Sequence, residues 1–318
     1  MRLASPLLAA ALTICVTACA GDAPALPAGV ESAPFEIQGD RLFIAAKLND
    51  KAVCQALLDT GSEMTLVNRA RVDVPDLHPA SMETAQGSFV GVMQVSSASL
   101  KKLAIGAHTL ERVPIYTLNH GKGKKLEQID MVLGMDTLSR SRFTVDFKNS
   151  RILFWPAGST LPKPEAGTER VQLAAHRGFR EEGTRPRIQA KVNGKTDALF
   201  LVDFGADTPL YVATKDFREL GFAAANEPSG AIQAGNGDQN LTLSFYRQPW
   251  PKLELGAMSF ENVEGRIVAA DRANPVMRED LQTMYNILGT PFLKSFDAVH
   301  IDMPNKTVTF DRAAKEKK

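Results

Sequence analysis

The chain has little of what most enzyme sites are built from. Its 318 residues hold three cysteines and five histidines. Cys15 and Cys19 fall in the N-terminal segment, which leaves Cys54 alone in the body and excludes an intramolecular disulfide there. Cys54 sits in the strand-like run Val53-Cys54-Gln55-Ala56-Leu57 with no histidine motif beside it, so it reads as a buried structural thiol and not a nucleophile. His78, His108, His120, His176 and His300 are scattered, without the spacing of a metal motif such as His-Glu-x-x-His, and no metal or other cofactor is expected. A Gly-x-Ser-x-Gly elbow is missing, which removes the usual serine-hydrolase reading. Gly121-Lys122-Gly123-Lys124-Lys125 lacks Walker spacing, and Asn236-Gly237-Asp238 reads as a turn before it reads as a calcium loop. A net charge of +1 with no basic stripe gives no reason to expect nucleic acid as a partner.

Long hydrophobic runs are also scarce. The one candidate, Leu3 to Val16 behind Arg2, is too short to span a bilayer and has the form of an export signal. It ends in Val16-Thr17-Ala18-Cys19, which resembles the lipobox of bacterial lipoproteins. That resemblance implies acylation of Cys19, and Ala20 after it, with no Asp there, implies the outer membrane facing the periplasm. An ordinary cleaved signal is the alternative. Residues 1–19 are then signal and lipobox. Residues 20–34, rich in Ala, Pro and Gly, form a tether. Membrane contact is expected through the lipid alone.

What remains is ordinary in composition, 44% hydrophobic and 23% charged, and long enough for about two domains. It repeats itself. At an offset of 144, Ala46, Lys47, Asn49, Lys51, Leu57, Asp59 and Gly61 meet Ala190, Lys191, Asn193, Lys195, Leu201, Asp203 and Gly205. Leu103-Ala104-Ile105-Gly106-Ala107 then meets Leu253-Glu254-Leu255-Gly256-Ala257, and Val132-Leu133-Gly134 meets Ile287-Leu288-Gly289. Asp146, Asn149 and Phe154 meet Asp302, Asn305 and Phe310 at an offset of 156. A period this long means duplicated domains. Within each copy, short strand-like runs flank turn signals: Asn49-Asp50, Asn193-Gly194, and Lys148-Asn149-Ser150. The pattern predicts a mostly β fold of barrel type, with helical turns near Val67–Arg71, Leu138–Ser141 and Thr214–Leu220. The first lobe covers residues 35–156, a Pro- and Gly-rich linker 157–170, the second lobe 171–312, and a tail 313–318.

The chemistry concentrates at Leu57-Leu58-Asp59-Thr60-Gly61-Ser62 and at its altered copy Leu201-Val202-Asp203-Phe204-Gly205-Ala206. Two aliphatics before each aspartate put the carboxylate at the end of a buried strand. Two carboxylates held face to face cannot both ionise and share one proton, the arrangement for which aspartic proteases are the standard example. Gly61 permits close backbone approach. Ser62 is expected to donate to the Asp59 carboxylate, lowering its pKa.

The order Asp-Thr-Gly-Ser-x-x-Thr-x-Val, a glycine-containing hairpin, an apolar-apolar-Gly triplet and a terminal hairpin resembles the retropepsin-like aspartic proteases. Asp59, Thr60, Gly61, Ser62, Thr65 and Val67 fit the first motif. The resemblance implies two acid-protease β-barrel lobes in a pepsin-like bilobal arrangement, with Asp59 and Asp203 as catalytic pair and Thr60 hydrogen-bonded across to the opposite loop. It implies a flap around Gly87, Ser88, Phe89 and Gly91, closing over a peptide or protein substrate. In the second lobe Asp203 and Gly205 remain, but Phe204, Ala206 and Pro209 stand where Thr60, Ser62 and Thr65 stand in the first. Three readings follow: a monomeric aspartic endopeptidase using Asp59 and Asp203, a protease active only when first lobes pair between chains, and a non-catalytic peptide-binding envelope protein.

Overall fold

The computed structural model describes residues 25–80, 82–87, 91–121, 128–159, 161, 167–174, 185–194, 196–213, 222, 227–236, 239–269 and 286–312. The signal segment with Cys19 and the turn expected at 214–220 lie outside them.

Strands dominate. In the first half they are β1 (Glu31–Gln38), β2 (Arg41–Leu48), β3 (Ala52–Leu58), β4 (Leu66–Asn68), β5 (Met82–Gly87), β6 (Gly91–Ile105), β7 (His108–Gly121), β8 (Met131–Leu133), β9 (Arg142–Asp146) and β10 (Arg151–Trp155). The second half holds β11 (Thr168–Gln172), β12 (Arg187–Val192), β13 (Thr196–Asp203), β14 (Leu210–Ala213), β15 (Gly230–Asn236), β16 (Gln239–Leu255), β17 (Met258–Ala269), β18 (Asn286–Gly289), β19 (Ala298–Asp302) and β20 (Thr307–Asp311). Two one-turn helices, α1 (Met135–Leu138) and α2 (Thr290–Leu293), follow β8 and β18. Of the expected helical turns, the one near Leu138 lies at α1, slightly upstream. The stretch Val67–Arg71 is instead the end of β4 and a turn, because Leu66 to Asn68 pair with β7 and β8.

Six strands in the order β2-β3-β8-β4-β7-β6 close into a barrel where Leu48 of β2 pairs with Leu103 of β6. The second half repeats the order as β12-β13-β18-β14-β17-β16, closed by Val192 against Leu253. Pairing sense matches as well: β3–β8 and β13–β18 are parallel, as are β4–β7 and β14–β17. Closure leaves these strands without free edges. Both barrels start from the same hairpin. Asn49 and Asp50 have φ of 51° and 58°, and Asn193 and Gly194 have φ of 55° and 66°, the double positive φ of a type I′ turn. In each, the asparagine side-chain oxygen accepts from the backbone of the closing strand, Asn49 from Lys101 and Lys102, Asn193 from Lys252.

A third, antiparallel layer joins the halves in the order β11-β20-β19-β9-β10-β1. Its central seam is β9 against β19, with Thr144 opposite His300. Asp146 and Asp302 lock the turns after β9 and β19 by accepting from the backbone N–H and side-chain amide of Asn149 and Asn305. The main apolar core runs through both barrels and the layer that joins them, from Leu42, Ile44 and Leu58 through Phe143 and Val145 to Phe200, Val202 and Ile301. The two strands that end in aspartates are therefore anchored in one continuous body.

Candidate active site

β3 and β13 run parallel to β8 and β18, and each delivers its aspartate to the loop beyond the barrel. The peptide N–H of Asp59 still bonds Leu133 O at 3.1 Å, so the residue leaves the strand only as its side chain emerges. The two loops meet. The carboxyl groups of Asp59 and Asp203 hydrogen-bond to each other. A Cβ on Gly61 would collide with the Asp203 carboxylate, and a Cβ on Gly205 with that of Asp59, so each glycine is required by the opposite aspartate.

The aspartates are held unequally. Asp59 Oδ1 accepts from the backbone N–H of Gly61 and of Ser62, both at 2.9 Å. Asp203 Oδ1 accepts from Gly205 N–H at 2.8 Å and is the more buried of the two. Burial raises the pKa of Asp59, while the two amides, the hydrogen bond from Asp203 and the charge of Arg41 oppose the rise. Burial also raises Asp203, and there the charge of Asp59 adds to it, with the amides of Gly205 and Gly61 opposing. The Ser62 hydroxyl is not a donor to the carboxylate as expected. It donates to Met64 O at 2.8 Å, and the backbone of Ser62 takes the role, because a sharp turn after Asp59 aims its N–H inward.

Thr60 is fully buried and crosses between lobes. Its Oγ1 donates to Val202 O at 2.7 Å and accepts from Phe204 N–H at 3.1 Å. Phe204 cannot return the contact. Its ring packs into the core 6.2 Å from Phe147, and its carbonyl accepts from Thr290 Oγ1 at 2.8 Å.

Two features escaped the sequence reading. The first is Asp136, which Thr65 engages through its hydroxyl at 2.6 Å and its N–H at 3.0 Å, tying the loop after Asp59 to α1. The equivalent residues of the second lobe are Pro209 and Pro291, so hydroxyl and carboxylate disappear together. That paired change was the signal. The second is a reciprocal ion pair. Arg41 bonds Asp207 at 3.1 Å, and Arg185 bonds Glu63 at 3.0 Å and Gly61 O at 3.4 Å. The offset of 144 relates Arg41 to Arg185 and Glu63 to Asp207, so each lobe's arginine clasps the other's loop.

Gly87 and Gly91 face each other at the end of the β5–β6 hairpin, where a flap was expected. Ser88 and Phe89 lie outside the described residues. Cys54 is buried as anticipated, with its pKa pushed up to about 12 by burial and then by Asp130. No cluster of metal-ligating side chains occurs among the described residues.

Residues 44–137 match the family of aspartyl proteases. The match spans Asp59, Thr60, Gly61, Ser62 and Asp136 and stops short of the second aspartate. Among solved structures, the aspartic proteinase from Irpex lacteus superposes with a TM-score of 0.56 over 91% of this chain and 98% of its own, at 14% identity. The fold is thus that of an aspartic proteinase, mostly β with a closed six-stranded barrel. No curated protein sequence matches the chain.

Proposed function

We propose that the protein is an aspartic endopeptidase whose two catalytic carboxylates, Asp59 and Asp203, come from one chain. The observation that carries this reading is their mutual hydrogen bond, with each carboxylate seated against the other loop's glycine. Backbone amides favour the ionised form of Asp59, and deeper burial beside that charge favours the protonated form of Asp203. Asp59 then acts as general base on a water, whose oxygen attacks the scissile carbonyl carbon. Asp203 gives its proton to the carbonyl oxygen. Collapse of the tetrahedral diol returns a proton to Asp203 from one hydroxyl, and the departing amine takes the proton held by Asp59, which restores the starting charge. The Thr60 bonds keep the loops in register while this proceeds.

The test is cleavage of a peptide library at acidic and neutral pH by wild type, Asp59→Ala and Asp203→Ala. Loss of cleavage in both variants supports the intramolecular dyad. Full activity of Asp203→Ala, rising with protein concentration, would point to pairing of first lobes between chains. Binding without cleavage by wild type would point to a peptide-binding protein. We further place the enzyme at the bacterial envelope, anchored through Cys19. The readout is fatty-acid labelling of wild type and its loss in Cys19→Ser.

A further inference from the structure

The barrels differ on the faces that carry the two aspartates. Along β3, Leu58 joins the main core while Leu57, like Asp59 two residues on, takes the other side. Leu57 clusters there with Leu66, Val95, Leu118, Ile129 and Val132, flanked by Phe43 and Tyr116, so the first lobe presents an apolar wall. Strand pairing fixes the equivalent positions of the second lobe. Phe43 pairs with Leu57 as Arg187 pairs with Leu201. Leu66 pairs with Tyr116 as Leu210 pairs with Arg266, and Ser97 pairs with Tyr116 as Arg247 pairs with Arg266. Three arginines thus replace Phe43, Ser97 and Tyr116.

Arg247 and Arg266 stand directly opposite across β16 and β17, where like charges repel. Both guanidinium groups lie over the Phe245 ring, at 6.0 and 5.1 Å from its centre. Among the described residues, the carboxylate ion-paired to this group is Asp207, four residues beyond Asp203. It is bonded by Arg41 at 3.1 Å and lies 3.8 Å from Arg266. Among the described residues, Arg41, Arg247 and Arg266 thus gather around one ion-paired carboxylate, with positive charge in excess. The Nε atoms of Arg41 and Arg266 are buried with no protein acceptor among the described residues.

We propose that this wall binds a carboxylate of the substrate, so that the enzyme prefers a peptide with an acidic side chain on one side of the scissile bond and an apolar one on the other. The proposal rests on the peptidase reading above. An incoming carboxylate accepts charge-assisted hydrogen bonds from the guanidinium groups and relieves the repulsion between Arg247 and Arg266. The repeated strand order sets the two walls on opposite sides of the dyad, so the two halves of the substrate meet surfaces of opposite character.

Peptides matched except for Glu or Gln beside the scissile bond test this with wild type, Arg266→Gln and Arg247→Gln. The expected kcat/KM ratio of Glu to Gln peptide is roughly tenfold or more for wild type and near one for Arg266→Gln, the worth of a hydrogen bond to a charged group. Arg266→Lys, which keeps the charge, is expected to retain part of the preference and controls for folding. Equal cleavage of both peptides by wild type overturns the proposal. A second arm uses uncleavable reduced-amide versions of the same peptides, with binding to wild type and Asp59→Asn measured by calorimetry. If wild type cleaves nothing, the peptidase reading fails and this arm still decides: tighter binding of the Glu peptide sustains the site, and equal or absent binding overturns it.

Discussion

Arg41 and Asp207 join the two lobes at 3.1 Å beside the loops that carry Asp59 and Asp203, and the reverse contact of Arg185 with Glu63 does the same at 3.0 Å. Both arginines are mostly buried, which sets these pairs apart from exposed ones. Arg185→Leu removes a bond to Glu63 and one to Gly61 O, whose residue also supplies an amide to Asp59. We expect a loss of about 1–2 kcal/mol in stability and a fall in kcat exceeding any change in KM. Thermal unfolding and steady-state kinetics measure both. An unchanged kcat would mean that the clasp does not position the loop.

Thr60→Val deletes a hydroxyl that spans the loops and takes a buried hydrogen bond from both Val202 O and Phe204 N–H. The expected cost is about 2–4 kcal/mol, with most activity lost, since unmet buried polar groups carry their full desolvation penalty. Thr60→Ser keeps the oxygen and is expected to stay close to wild type. If Val and Ser variants behave alike, the hydroxyl is not what holds the loops.

Phe204→Thr recreates the first lobe's motif but should not improve the enzyme. The ring is fully buried against Phe147, and its loss leaves a cavity worth about 3 kcal/mol. Denaturant unfolding checks this. A Thr variant as stable as wild type would show that the second loop accommodates either residue.

Asp203→Asn should stabilise the protein while abolishing cleavage. The folded pKa of Asp203 is raised by burial and by Asp59, above the unfolded value of about 3.9. Folding therefore takes up a proton in the window between the two values, and stability falls as pH rises through it. An Asn side chain does not titrate, so the gain in melting temperature should grow from pH 4 toward neutral. A constant difference across that range would contradict the raised pKa. The same shift carries the basic limb of the activity profile above the usual carboxylate range, so cleavage should persist toward neutral pH.

The strand content, the barrel class and the meeting of Asp59 with Asp203 were legible because they rest on local alternation and on a repeated motif. Asn49-Asp50 and Asn193-Gly194 announced their turns for the same reason: φ above zero is a property of two residues. The Ser62 contact was misassigned because a backbone amide and a hydroxyl of the same residue compete for one carboxylate, and turn geometry decides between them. The role of Asp136 was hidden because its partner, Thr65, is 71 residues away in the chain. Arg41 and Arg185 were invisible as clasps because each bonds a residue of the opposite lobe, and only the register of the halves brings them together.

The seam of the third layer has a consequence for how such a site can differ between its two sides. Thr144 and His300 occupy the same place in their repeats, and they face each other, bonded at 2.7 Å. The molecule's approximate two-fold axis must pass between them. Two identical chains meeting there would set threonine against threonine or histidine against histidine. A hydroxyl against an imidazole on the axis exists only because one polypeptide encodes both sides. Heredity is then free to edit each half by itself: one loop keeps its threonine while the other fills the core, and one wall stays greasy while the other turns basic.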